Sequence, residues 1–151
     1  MATVQENLFV DLVDAPLVTE DYVAKVKDAA AGAIATFSGC TRDSFEGKQV
    51  VKLEYEAYKP MAQKTMQVAR LFTHSSHLTL PSCQELCTAA LNKWNICKIA
   101  IAHALGIVEV GQVSVVVAVS SAHRREALEV RMSSKPSTAC PCALPGVSLG
   151  D

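Results

Sequence analysis

The chain has 151 residues, half of them apolar and 19% charged, with a formal net charge of −1. That length suits one domain with a core of its own, and the apolar content excludes a disordered polymer. The near-neutral balance argues against a general nucleic-acid or membrane-surface role, so any anion site must be local.

Residues 1–7 carry no basic segment followed by an apolar core, so no signal peptide is expected. No run reaches the length of a membrane span. The six cysteines, Cys40, Cys83, Cys87, Cys97, Cys140 and Cys142, read as mostly free cytosolic thiols.

Leu8 to Val13 is a short apolar run suited to a strand, ended by Asp14-Ala15-Pro16. Thr19 reads as an N-cap, with Glu20 and Asp21 in the first helical turn. Tyr22, Val23, Val26 and Ala30 share one face of a helix that stops near Gly32. Ala33 to Ser38 is an apolar, β-branched strand leading into Gly39, and a polar loop from Cys40 to Gln49 follows. Val50 to Tyr58 alternates as a strand, with Val51, Leu53, Tyr55 and Ala57 on one face and Lys52, Glu54 and Glu56 on the other.

Pro60 suits a helix start, and Met61, Thr65, Met66, Ala69 and Leu71 continue an amphipathic helix. A second helical stretch, Cys87 to Trp94, leads into a strand from Ile96 to Ala102. Gly106 and Gly111 bracket a short segment, Ile107 to Val110, before a buried strand from Val113 to Val119. Strands and helices mix without strict alternation, which gives an α+β or mixed α/β class.

Ser120-Ser121-Ala122-His123-Arg124 ends that last strand and opens a helix at Arg125-Glu126-Ala127-Leu128. A strand that turns into a helix on small polar residues leaves backbone N–H groups converging on one spot. With the positive end of the helix dipole they form an anion site. His123 and Arg124 add cationic or hydrogen-bonding side chains at its rim, and guanidinium geometry suits phosphate or carboxylate. A capped helix with a solvated basic first turn fits the local sequence equally well. Two segments fit the pattern poorly. Residues 72–82 interrupt what would otherwise be one long helix from Pro60 to Trp94, and residues 131–151, with three prolines and a Cys-Pro-Cys triplet, read as an irregular or disordered tail.

Several blocks, in order, resemble the large subunit of molybdopterin synthase. They are Gly32-Ala33-Ile34-Ala35-Thr36-Phe37-Ser38-Gly39 with Arg42, Leu53-Glu54-Tyr55-Glu56-Ala57-Tyr58, and Pro60-Met61-Ala62. Ile99-Ala100-Ile101-Ala102-His103 with Leu105-Gly106, Gly111 and the strand after it, and Ser120 to Arg124 complete the set. The likeness runs from about Asn7 to Val130, apart from residues 72–86, which defines a domain over 1–130 with an atypical insertion at 72–86 and a tail over 131–151.

The resemblance implies an α/β hammerhead-type fold, incomplete at its C-terminus, and a homodimer of large subunits within a heterotetramer. Each copy would bind a small ubiquitin-like subunit whose thiocarboxylated Gly-Gly C-terminus delivers sulfur to cyclic pyranopterin monophosphate. Two transfers create the dithiolene of molybdopterin, in molybdenum cofactor biosynthesis, without a metal or other cofactor for the transfer itself. The substrate is anionic, so fixed cations in a partly dry pocket lower the barrier. Arg42 could hold phosphate or pterin oxygens in bidentate fashion, and His123 and Arg124 match the family's substrate-contacting pair. Without the resemblance, Arg42 reads as a solvated loop arginine and Phe37 as plain core.

Three departures bear on activity. The family continues with a helix and a Trp-Lys-Lys/Arg-Glu segment whose lysines line the pocket. Here the likeness stops near Val130, and Lys135, the only lysine after Lys98, precedes a proline and takes no catalytic role. The catalytic residues are therefore unknown, and impaired turnover is expected if those lysines are necessary. Loss of a terminal helix and strand would also leave apolar surface uncovered and the domain marginally stable. The 72–86 stretch with an unrelated tail resembles an alternative isoform, and Ala104 stands where the family usually has arginine. Three other readings compete. One is a non-catalytic isoform that dimerises or binds the small subunit. A second is a zinc module built on His74, His77, Cys83 and Cys87, with Cys140 and Cys142. The third is a nucleophilic Cys40, against which the lack of a neighbouring base makes a bystander thiol the better reading.

Overall fold

The structure, a computed structural model, describes residues 7–14, 16–56, 91–133 and 144–149. The expected helix after Pro60, the 72–86 insertion, Lys135 and the six proposed zinc ligands lie outside those residues.

A four-stranded sheet forms the centre, built from β1 (Leu8–Val13), β2 (Ala33–Cys40), β5 (Ile96–Ala104) and β7 (Val113–Ser121) in the order β1-β5-β7-β2. β1 lies parallel to β5, while β7 runs antiparallel to both β5 and β2. Strand alternation sends successive side chains to opposite faces, and both faces are covered. On one, Ala100, Ala102 and Ala104 of β5 and Val116 and Ala118 of β7 pack against Leu17, Tyr22 and Val26. Tyr22 and Val26 belong to helix α1 (Thr19–Val26), and the run of alanines beneath lets its backbone approach closely. On the other face, Ile99, Val117 and Val119 pack with Val130 of helix α2 (Arg124–Ser133), and Phe37, Leu91, Trp94 and Ile101 close over them. Phe37 is therefore a core side chain.

A second sheet joins β3 (Ser44–Phe45), β4 (Lys48–Glu56), β6 (Gly106–Glu109) and β8 (Leu144–Leu149). Leu53 pairs with both Val108 and Val147, so β6 and β8 flank β4 on opposite edges. The class is mixed α+β, as the sequence pattern indicates. Among the described residues no helix is long and apolar enough to cross a membrane.

Four local expectations are corrected. Thr19 is not the N-cap: Val18 occupies that position without a side-chain cap, and the Thr19 hydroxyl is 2.9 Å from that of Ser38 in β2. α1 stops at Val26, because Asp28 accepts a hydrogen bond from the Ala30 N–H at 2.9 Å and folds the chain into a local turn that competes with helix. Ala30 is consequently exposed. In β4 the register shifts between Val50 and Lys52, and this bulge buries Val50 (4% exposed) while turning Val51 out (54%). The tail is not irregular throughout, since α2 extends to Ser133 and residues 144–149 pair with β4 from Glu56 back to Val50. A free strand edge supplies the hydrogen bonds that the local sequence, with Pro145 and Gly146, gives little reason to expect.

His103 illustrates how the core is tuned. It is 8% exposed, its Nδ1–H donates to the Ala104 carbonyl at 2.7 Å, and its ring meets Tyr55 edge-on with centroids 4.6 Å apart. Burial holds its pKa below the ordinary value, with the Ala104 hydrogen bond opposing in part. Below about pH 6.5 the unfolded chain takes up a proton that the folded chain resists, so stability falls with acid. Denaturant midpoints should drop between pH 7.5 and pH 5.5, and His103→Gln should flatten part of that slope.

Candidate anion-binding site

The three side chains singled out in the sequence are all exposed: Arg42 just past the end of β2, His123 just past the end of β7, and Arg124 at the first residue of α2. β7 delivers His123 and Arg124. Its last residues, Ser120 and Ser121, are fully buried. The Ser120 hydroxyl accepts from the Lys98 N–H at 3.1 Å, and that of Ser121 donates to the His123 carbonyl. Both bonds fix the backbone just before α2 begins. Gly32 closes the same corner: its N–H donates to the Ser121 carbonyl at 3.0 Å, and a Cβ there would stand 2.4 Å from the Ala122 oxygen. Only glycine fits that approach. Nearby, Lys98 Nζ is 3.3 Å from Asp28 Oδ2 and donates to the Lys27 carbonyl, so its charge is already paired. The Asp28 carboxyl is held below its usual range, first by the Ala30 N–H and then by Lys98.

Arg42 is at the other end. Thr41 is pinned between the Gln112 carbonyl, which accepts from its N–H at 3.0 Å, and the Gly111 N–H, which donates to its carbonyl at 2.8 Å. Thr41 is 3% exposed, and its Oγ1 has no hydrogen-bond partner. A buried hydroxyl without a partner is destabilising by about 1–3 kcal/mol. Thr41→Val should therefore raise the melting temperature, which calorimetry would show directly.

β2 pairs Ala33 with Ser121 at one end and Cys40 with Val113 at the other. At about 3.3 Å per residue, the ladder separates Arg42 from His123 and Arg124 by roughly 25 Å. The chain thus brings His123 and Arg124 together and does not bring Arg42 to them. A cleft of about 180 Å³ opens at the Arg42 end, lined by Asp14, Pro16, Ala104, Ile107 and Gln112 among others. Ala104, 2% exposed, sits in the wall of this cleft. Cys40 is exposed at the end of β2, and among the described residues no group of three or more His, Cys, Asp or Glu side chains could hold a metal ion.

Phe45 is absent from the sequence-derived set. Glu46 and Gly47 both take positive φ, 50° and 78°, and close a two-residue hairpin that pairs Phe45 with Lys48. Phe45, 43% exposed, lies beneath the guanidinium of Arg42, whose Cζ is 5.7 Å from the ring centroid. The signal that could have found it is the Glu-Gly turn that begins four residues past Arg42.

The family model described as MoaE protein matches residues 12–70 and 67–133. A molybdopterin synthase catalytic subunit from Arabidopsis thaliana is 47% identical over 108 residues, covering 72% of this chain and 46% of that protein. The chain thus spans about half the length of that relative. In fold it resembles molybdopterin synthase from Staphylococcus aureus, at TM-score 0.69 and 24% identity, covering 99% of this chain and 94% of that one. It also resembles a chain in the complex of subunits 1 and 2 of molybdopterin-converting factor from Helicobacter pylori, at TM-score 0.52 and 19% identity, over 82% and 73% of the two chains.

Proposed function

The chain belongs to the MoaE protein family, and on that premise we propose that it acts as a catalytic subunit of molybdopterin synthase. It transfers sulfur from the thiocarboxylated C-terminus of a small ubiquitin-like subunit to cyclic pyranopterin monophosphate, in the cytosol. The observation that carries this reading is that Arg42, His123 and Arg124 all fall within the matched residues and all stand exposed, Arg42 and His123 just past strand ends and Arg124 at a helix start. Guanidinium groups suit the phosphate and the anionic intermediates of such a substrate. The separation along β2 and β7 exceeds what one small molecule reaches, so the working site needs two copies. Arg42 of one copy faces His123 and Arg124 of the second across a homodimer. The sulfur arrives with the partner, and the chain's own residues bind the substrate, orient it and hold developing charge.

One observation favours a second reading, a non-catalytic member that binds substrate and small subunit without turnover. Residues 131–151 contain a single lysine, Lys135, and residues 144–149 contain no ionisable side chain. A single-turnover assay decides between the two. The purified chain is mixed with thiocarboxylated small subunit and cyclic pyranopterin monophosphate, and molybdopterin is read as its fluorescent oxidation product. Stoichiometric product supports the catalytic reading, and binding without product supports the second.

A further inference from the structure

We propose that Phe45 is a positioning residue that holds the guanidinium of Arg42 ready for an anionic ligand; this rests on the binding role given above to Arg42. The left-handed pair Glu46 and Gly47 fixes the turn, Phe45 pairs with Lys48, and the Val50 N–H donates to the Asp43 carbonyl at 2.7 Å. Thr41 is anchored to Gln112 and Gly111 on the preceding side. The backbone on both sides of Arg42 is therefore set, and only its long side chain retains freedom.

Phe45 limits that freedom. It is a large apolar side chain left 43% exposed, and the cation of Arg42 lies 5.7 Å from its ring centroid, within cation–π range. A guanidinium held over a ring by cation–π attraction spends none of its N–H donors on that contact, so they stay available for paired hydrogen bonds to phosphate. The ring contact thus restricts the rotamers without consuming the donors. Less ordering remains to be done on binding, which raises affinity.

The test is a double-mutant cycle on the full chain, with cyclic pyranopterin monophosphate affinity as the readout. An exposed cation–π contact of about 0.5–1 kcal/mol corresponds to roughly two- to fivefold. Phe45→Ala should weaken binding by about that factor in the wild-type background and leave it unchanged in an Arg42→Ala background. Phe45→Trp should restore affinity, whereas Phe45→Leu, which keeps an apolar side chain in the hairpin, should not. Equal weakening by Phe45→Ala in both backgrounds, or wild-type affinity in Phe45→Leu, would overturn the proposal while leaving the role of Arg42 intact. Wild-type affinity in Arg42→Ala alone would overturn both together.

Discussion

Replacing Arg42 or Arg124 by alanine is expected to weaken binding of cyclic pyranopterin monophosphate by about ten- to a hundredfold each. Hydrogen bonds to charged groups contribute about 1.5–3 kcal/mol, and every 1.4 kcal/mol is tenfold in affinity. Both side chains are exposed in the isolated chain, so their loss removes ligand contacts and leaves the core untouched. Melting temperatures should accordingly stay within a degree or two of wild type. Arg125 serves as an internal control. Its guanidinium is already engaged with Glu129 one helical turn away, at 2.8 Å, on solvated surface. Arg125→Ala should therefore change affinity little. Titration calorimetry on the three variants separates these outcomes, and an equal loss in all three would mean that only general positive charge matters.

The second large effect falls on Gly32→Ala. An added Cβ meets the Ala122 carbonyl oxygen at 2.4 Å, and that oxygen is backbone, which cannot rotate away. Overpacking of this kind costs about 1–3 kcal/mol, so the melting temperature should fall by several degrees. Gly39→Ala is the informative comparison. There the new Cβ would meet the Cγ1 of Val115 at 2.6 Å, a side-chain atom that can repack. Gly39→Ala should therefore be the milder change. Gly32→Ala should also weaken substrate binding, because relief of the clash moves Ala122 and with it His123 and Arg124. A Gly32→Ala chain as stable as wild type would mean that this corner is looser than its hydrogen bonds indicate.

Much of the central sheet is legible in the sequence because burial imposes a period. Ile99 and Ile101 alternate with Ala100 and Ala102, and the two sets pack on opposite faces. The end of α1 is not legible from apolar spacing, since Ala30 continues the helical pattern while the Asp28 side chain turns the backbone away. The bulge at Val50–Lys52 is likewise invisible, because it depends on pairing with a strand almost a hundred residues later. β8 depends on the same long-range pairing. Residues 144–149 become a strand through the open edge of β4 and not through their own propensity.

The candidate site divides in the same way. Arg42, His123 and Arg124 are recognisable by residue type and by their place at the ends of apolar runs. Their separation follows from the antiparallel pairing of β2 with β7, which sends the start of one strand to the end of the other. Strand pairing is a tertiary property, and neither run specifies its partner. Phe45 escaped notice because an exposed aromatic in a polar loop has no pattern until the hairpin places it beside Arg42.

Mixing the Arg42→Ala chain with the Arg124→Ala chain, after unfolding and refolding them together in equal amounts, tests the two-copy site most directly. In a mixed dimer one site loses both arginines and the other keeps both. Half of the randomly assembled dimers are mixed, so about a quarter of the wild-type number of high-affinity sites should return, counted by titration with cyclic pyranopterin monophosphate. Recovery near that level is the result predicted here. No recovery, in a mixture whose dimers are demonstrably mixed by mass, would contradict a site shared between Arg42 of one copy and Arg124 of the other.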